Sequence, residues 1–144
     1  GRDVIEDTFE GTTFLPGLKI RNGVLIYNKE KLLYPGDMVH EAGHIAVTVA
    51  AERSTLNDNV TANDKNKEGE ELAVMLWTYA VCLHLKMDPA IVFHEEGYKG
   101  ESEWLLENFN DKTYIGLPLL VWMGMTTYPA NNTGFPLMVK WLRD

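Results

Sequence analysis

His40-Glu41-Ala42-Gly43-His44 is the most informative segment of this chain, because it places two imidazoles and a carboxylate close together. An α-helix has 3.6 residues per turn, so side chains four positions apart lie on one face. His40 and His44 can therefore bind the same ion from one helix. Glu41 lies beside them and is free to hold a water molecule at that ion. The motif predicts a zinc site on a helix.

The residues around the motif also favour a helix. Pro35-Gly36-Asp37 is typical of a turn followed by an N-cap, with Asp37 accepting hydrogen bonds from the first free backbone N–H groups. The segment from Met38 to Glu52 has no proline and carries apolar residues to pack. Gly43 costs about 1 kcal/mol relative to alanine inside a helix, which indicates that another part of the chain comes close there. The alternative is a surface helix with two incidental histidines.

Composition predicts one globular domain over residues 1–144. Hydrophobic residues make up 45% of the chain and aromatic residues 10%, which argues for a folded core and against disorder. The formal net charge is -8 and there is no basic cluster, so nucleic acid is not expected as a partner. The single cysteine, Cys82, excludes an internal disulfide, and its apolar surroundings predict a small buried side chain.

No apolar stretch reaches the roughly 20 residues that a helix needs to cross a membrane. The longest, Leu117 to Met125, is interrupted by Pro118 and Gly124. No signal peptide is visible, so we expect a cytoplasmic protein. Because the chain begins with Gly1 and not Met, the sequence leaves open that a leader peptide has been removed.

The pattern along the chain predicts an α+β domain that is mainly helical, with a small sheet near its N-terminal end. Residues 18–21 and 24–27 flank Asn22-Gly23, the strongest short signal for a β-hairpin. A polar segment, 53–69, is expected to be a loop that is either disordered or borders a substrate cleft. The helix that follows, 70–86, is apolar on every side and should form the buried centre. Shorter helical segments are expected at Asp88 to Phe93, Ser102 to Phe109, Pro118 to Met125 and Pro136 to Arg143.

A catalytic zinc usually has three protein ligands and one open position, so the motif needs a further ligand. The extended motif, with a glycine and then a third histidine, is absent because Val47 and Ala50 occupy those positions. Glu70 and Glu71 are the best candidates, since an unpaired carboxylate at the start of a buried helix would be costly and a metal would remove that cost. The alternative is that both are ordinary acidic residues stabilised by the dipole of a first helical turn.

This order of elements resembles the gluzincin branch of the zincin metallopeptidases, and it is most similar to the small soluble ImmA/IrrE-type members. The resemblance covers about residues 18 to 82. In those proteins the third ligand often begins a Glu-x-x-Ala motif, which corresponds here to Glu70-Glu71-Leu72-Ala73 and implies Glu70. The family commonly has Asn or Asp after that alanine, whereas this chain has Val74. An acid that would orient a zinc-bound histidine is therefore missing from its usual place.

The resemblance implies a zinc-dependent peptidase with a peptide or protein substrate. Zinc would be bound by His40, His44 and Glu70, with Glu71 as the alternative to Glu70. Glu41 would take a proton from the zinc-activated water and deliver it to the leaving amine. The residues alone imply only the hydrolysis of a polarised carbonyl or a related group.

A hydrogen-bond donor is also expected where negative charge develops in the transition state. His94 and Tyr98 are the leading candidates, because they lie in a polar, glycine-flanked segment that follows the buried helix. The alternative is a surface turn with a charged tip. His84 is a weaker candidate, since a helix would place it about 21 Å from Glu70 along the axis.

Three classes of function fit the sequence. The first is a zinc-dependent peptidase or related hydrolase. The second is a binding or regulatory module that keeps the zincin fold, with or without the metal, and the third is a helical interaction domain without a metal. Serine-based and nucleotide-dependent chemistry are disfavoured, because the chain has no Gly-x-Ser-x-Gly, Gly-x-Gly or Gly-Lys sequence. The sequence predicts no particular oligomeric state.

Overall fold

The computed structural model describes residues 3–58, 65–129 and 137–144, and within the helix that begins at Lys65 it describes side chains from Gly69 onward. Over these ranges the protein is an α+β domain of five α-helices and one three-stranded sheet, which agrees with the predicted mainly helical α+β class. None of the described helices combines the length and the apolar character needed to span a membrane.

The sheet has the strand order β1-β3-β2, with β1 at Val4–Glu6, β2 at Leu18–Arg21 and β3 at Val24–Tyr27. β2 and β3 form the predicted antiparallel hairpin, and Asn22 and Gly23 both have positive φ, 53° and 72°, as a tight hairpin turn requires. The sequence did not predict β1, which pairs parallel to β3. All three residues of β1 are exposed, so it lacks the alternation of apolar and polar residues that marks a half-buried strand.

Helix α1 carries the His-Glu-x-x-His motif and spans Asp37–Val47, so it ends before the predicted limit at Glu52. Thr48 is extended, with φ −72° and ψ 135°, and its hydroxyl donates a hydrogen bond to the carbonyl of His44. A separate short helix, α2, follows at Ala50–Arg53. The prediction that Asp37 caps α1 is wrong, because no side chain caps this helix and the Asp37 carboxylate contacts His94 instead.

Helix α3, at Lys65–Leu85, is the central helix of the fold. It begins before the predicted start at residue 70, so the last part of the predicted 53–69 loop is helical, while residues 59–64 lie outside the described ranges. The prediction of a buried centre is confirmed for the middle of the helix, whose core residues are Ala73, Val74, Leu76, Trp77, Tyr79, Ala80 and Cys82. Leu83 and Leu85 near its C-terminal end are exposed.

The rest of the domain packs around α3. Asp88 caps a 3₁₀ turn at Pro89–Ile91 by accepting a hydrogen bond from the backbone N–H of Ala90, close to the predicted helical segment. α4 spans Ser102–Asn110, as predicted within one residue, and α5 spans Leu117–Trp122, shorter than predicted. A second hydrophobic cluster lies between the sheet and α1. It is formed by Leu18, Ile20, Leu25, Ile45 and Leu56.

The predicted C-terminal helix is wrong for residues 137–144, which are not helical, and Pro136 lies outside the described residues. Met138 forms an isolated bridge with Thr126, the backbone N–H of Arg143 donates to Ala46, and the indole of Trp77 donates to the carbonyl of Trp141. These tertiary hydrogen bonds take the place of the intrahelical ones. The segment therefore lies as a strap across α1 and α3.

Candidate metal centre

α1 and α3 pack against each other so that His40, His44 and Glu71 converge. The Nε2 atoms of the two histidines are 3.1 Å apart. Glu71 places one carboxylate oxygen 3.2 Å from His40 Nε2 and the other 3.2 Å from His44 Nε2. Each residue offers a ligand atom, and all of these atoms lie within 4.8 Å of one another. The structure therefore brings both histidines of the motif to one glutamate of the buried helix.

Gly43 permits this close packing of the two helices. A Cβ atom at Gly43 would lie 2.8 Å from Val74 Cγ1 and 3.2 Å from Trp77 Cε3. The expectation that another part of the chain comes close to this glycine is confirmed, and the neighbour is α3. Since Gly43 lies between the two histidines on α1, its contact with α3 also brings their side chains within reach of Glu71.

The spacing of the three donors suits a zinc ion. Zinc binds imidazole nitrogen and carboxylate oxygen at about 2.0–2.2 Å with tetrahedral geometry, so ligand atoms on 2.0 Å bonds lie about 3.3 Å apart. The two Nε2 atoms are 3.1 Å apart and each lies 3.2 Å from a different oxygen of Glu71, so these neighbouring pairs of atoms are close to that separation. With a single oxygen from Glu71, the three ligand atoms lie within 4.8 Å of one another. Two histidines and one carboxylate are also a ligand set of catalytic zinc sites, in which the fourth coordination position is open to water or substrate.

The chemistry of the three groups also fits a cation. Each Nε2 atom has a Glu71 oxygen at 3.2 Å, to which a protonated imidazole can donate, and the two Nε2 atoms lie 3.1 Å from each other. Two protonated imidazoles at that separation repel each other, whereas a cation bound by the two nitrogen lone pairs and the carboxylate takes the place of both protons. The donor set therefore fits a bound metal.

The charges of the three groups are coupled. Burial alone would lower the pKa of His40, but its hydrogen bond to Glu71 and the charge of that carboxylate raise the pKa above its ordinary value. Burial alone would raise the pKa of Glu71, but the hydrogen bond to His40 and the charges of both histidines lower it. Glu71 is therefore ionised at neutral pH, as a metal ligand must be.

Glu41 lies next to His40 but does not belong to the three-ligand group. Burial raises the pKa of Glu41 to about 7, and the negative charges of Glu71, Asp58 and Asp37 act in the same direction, while His40 opposes them. A carboxyl group with such a pKa can both accept and release a proton near neutral pH. That is the property required of a general base that later acts as an acid.

Glu70, the ligand that the resemblance implies, lies elsewhere. Its Oε1 is 3.4 Å from Nη1 of Arg143, which also donates to the carbonyl of Val47 at 3.3 Å. Glu70 thus connects α3 with the C-terminal strap. The geometry favours Glu71, the alternative, as the third ligand.

The structure separates the two candidate donors. Tyr98 reaches the ligand group, with its hydroxyl oxygen 3.0 Å from Nδ1 of His40. His94 instead contacts the first turn of α1, where its Nε2 is 2.7 Å from Asp37 Oδ1 and its ring stacks on Tyr34. Neither residue is a surface turn tip, because both are partly buried. Tyr98 is thereby placed against the candidate ligand His40, a contact that the sequence did not reveal.

Two other residues singled out in the sequence lie apart from this group. His84 is exposed and packs its ring against Trp141, with ring centroids 5.0 Å apart. Cys82 is fully buried, as predicted, and burial raises the pKa of its thiol to about 11. A thiol with that pKa stays protonated at neutral pH and is a poor nucleophile.

The fold and the site together define a candidate metal centre of two histidines and a carboxylate on two packed helices, with a second carboxyl group beside it. Comparisons with family models, with curated proteins and with solved structures find no match to this chain.

Proposed function

We propose that this protein is a zinc-dependent hydrolase with a zincin-like fold. His40, His44 and Glu71 bind the zinc ion, and Glu41 is the general base. The observation that carries this proposal is the convergence of three ligand atoms within 4.8 Å of one another, on two helices that Gly43 allows to pack closely.

The chemistry follows from the residues around the ion. A bound zinc ion polarises a carbonyl group and lowers the pKa of water. The Glu41 carboxylate, which lies beside His40, accepts a proton from the attacking water and returns it to the leaving group. Tyr98 and the helix packing hold the imidazoles in place, so the groups that react are oriented before the substrate binds.

Peptide bonds are the proposed substrate, and the support for this step is the resemblance of residues 18 to 82 to the gluzincin metallopeptidases. The described structure has the elements on which that resemblance depends. They are the hairpin β2–β3, the motif helix α1 and the buried helix α3 with its glutamate. Hydrolysis of an amide also uses both proton transfers of Glu41, since the amine must be protonated to leave.

The proposal is tested by metal-dependent peptide cleavage. The zinc-loaded protein is incubated with a fluorescence-quenched peptide library, and cleavage is expected. Treatment with 1,10-phenanthroline should abolish cleavage because it removes zinc, and added zinc should restore it. The isomer 1,7-phenanthroline, which does not chelate, is the matched control and should have no effect. Zinc bound without any cleavage would favour a binding or regulatory module, and cleavage that survives zinc removal would contradict the metal mechanism.

A further inference from the structure

We infer that Tyr98 is a positioning residue for the metal ligand His40, and that it supplies from a distant segment the orienting hydrogen bond that α3 does not provide. This inference rests on the proposed zinc site. It assigns Tyr98 a role different from that of a donor to the transition state. The side chain acts on the metal through His40 and not on the substrate.

The two ring nitrogens of His40 face different partners. Nε2 faces Glu71 and His44, at 3.2 and 3.1 Å, and Nδ1 faces the Tyr98 hydroxyl at 3.0 Å. When Nε2 binds a metal, Nδ1 carries the ring proton and donates it to the Tyr98 oxygen. Such a hydrogen bond fixes the tautomer and the orientation of a metal-ligating histidine.

The second helix has an apolar side chain where it meets α1. Val74, three residues after Glu71 on the same face of α3, is fully buried and would lie 2.8 Å from a Cβ atom at Gly43. Position 74 is therefore occupied by the apolar contact that brings α1 and α3 together. Tyr98, 58 residues from His40 along the chain, supplies the hydrogen bond instead.

The segment that carries Tyr98 is fastened on both sides. Before it, His94 is bonded to Asp37 at 2.7 Å, so the segment is tied to the first turn of α1. After it, the hydroxyl of Ser102 donates to the carbonyl of His94 at 2.6 Å. The Tyr98 ring stacks on Phe93 and meets the His40 ring edge to face, with centroids 5.0 and 5.2 Å away. The hydroxyl is thus held by contacts that do not involve a metal.

The backbone at Tyr98 is strained, which supports a specific role for its position. Tyr98 and Lys99 both have a φ of 56°. A non-glycine residue in this left-handed region is strained, and such strain persists only when the surrounding contacts determine the conformation.

The test compares Tyr98→Phe with wild type in zinc affinity, measured by competition with a chromogenic chelator. Loss of the hydroxyl should weaken zinc binding about 10- to 100-fold, the range seen when an outer-shell partner of a metal ligand is removed. Tyr27→Phe is the matched control, because it removes a hydroxyl that is bonded to Glu6 at 3.0 Å in the sheet. This control variant should bind zinc as wild type does.

A second readout detects the hydrogen bond itself. In the nitrogen-15 NMR spectrum of the zinc-loaded wild-type protein, the Nδ1–H of His40 should be protected from exchange with water. In Tyr98→Phe that signal should broaden or disappear, which a merely structural role of the ring would not cause. If the wild-type Nδ1–H exchanges freely, Tyr98 is not its partner, and this result needs no variant.

The outcomes separate this inference from the proposed function. Equal zinc affinity in Tyr98→Phe and wild type, with the Nδ1–H signal retained, would overturn the inference and leave the zinc site intact. A wild-type protein that binds no zinc would overturn both. Weaker zinc binding in Tyr98→Phe alone, together with loss of the protected signal, is the result that we expect.

Discussion

Glu71→Gln should lower zinc affinity by about a thousandfold, while Glu70→Gln should leave it close to wild type. Structural zinc sites have apparent binding free energies of about 10–16 kcal/mol shared among their ligands, so losing one of three ligands is expected to cost about 4 kcal/mol, which is a thousandfold in affinity. Glu71 contacts both histidines at 3.2 Å, whereas Glu70 is bonded to Arg143. Competition titration of the two variants against a chelator measures the difference.

The neighbouring position makes Glu70→Gln a close control, since both changes remove one charge from the same helical turn. Glu70→Gln weakens the contact between α3 and the C-terminal strap, so its thermal unfolding should be followed beside its zinc affinity. If zinc binding were lost in Glu70→Gln and kept in Glu71→Gln, the ligand would be the one that the Glu-x-x-Ala pattern implies. The arrangement of α1 and α3 described above would then be incorrect.

Glu41→Gln should reduce kcat/KM for peptide hydrolysis by about 10²- to 10⁴-fold, the usual contribution of a general base. Zinc content should stay at the wild-type level, because Glu41 lies outside the three-ligand group. The amide keeps the size and the polarity of the side chain but has no site for the proton. Parallel measurements of zinc content and initial rates on one quenched peptide, taken from the cleaved library members, provide the test.

Glu107→Gln is a suitable control for this variant, because Glu107 is exposed on α4. It should change neither zinc content nor rate. Undiminished hydrolysis in Glu41→Gln would remove Glu41 from the mechanism. Loss of zinc from Glu41→Gln would mean that Glu41 is a ligand and would require a different donor set.

The parts of the fold that the sequence predicted have strong local signals. Asn22-Gly23 adopts the positive φ angles of a tight turn, and the His-Glu-x-x-His segment forms a helix. The long apolar run from Leu72 becomes the buried helix α3. In each case the local preference and the tertiary contacts favour the same structure.

The parts that the sequence did not predict depend on contacts between distant residues. β1 has three exposed residues, and only its pairing with β3 makes it a strand. Residues 137–144 have apolar side chains at helical spacing, but backbone hydrogen bonds to residues such as Ala46 and Met125 hold them in a non-helical strap. In so short a segment, a helical spacing of apolar residues does not stabilise a helix by itself, so the tertiary hydrogen bonds determine the conformation.

The residues of the candidate site also fall into those that the sequence predicted and those that it did not. His40, Glu41 and His44 follow from the motif, but the choice between Glu70 and Glu71 depends on which side of α3 faces α1. Adjacent helical residues point about 100° apart, and a helix that is apolar on every side gives no direction. The contact of Gly43 with Val74 fixes that direction, since position 74 is three residues after Glu71 on the same face.

The role of Tyr98 has no signal in the sequence, because the hydrogen bond joins residues 58 positions apart. The polar, glycine-flanked segment around Tyr98 drew attention to it but did not indicate its partner. A tyrosine in that segment could equally have faced solvent or substrate. The attachment of the segment to Asp37 through His94, together with the stacking of Tyr98 on Phe93, places the hydroxyl beside His40.

We propose that this chain binds one zinc ion between α1 and α3. Anomalous diffraction at the zinc absorption edge, from crystals of protein purified with zinc and without a histidine tag, would locate that ion. We predict one anomalous peak at about 2.0–2.2 Å from His40 Nε2, His44 Nε2 and a carboxylate oxygen of Glu71. The absence of a peak at these residues, or a peak bound by Glu70 in place of Glu71, would contradict it.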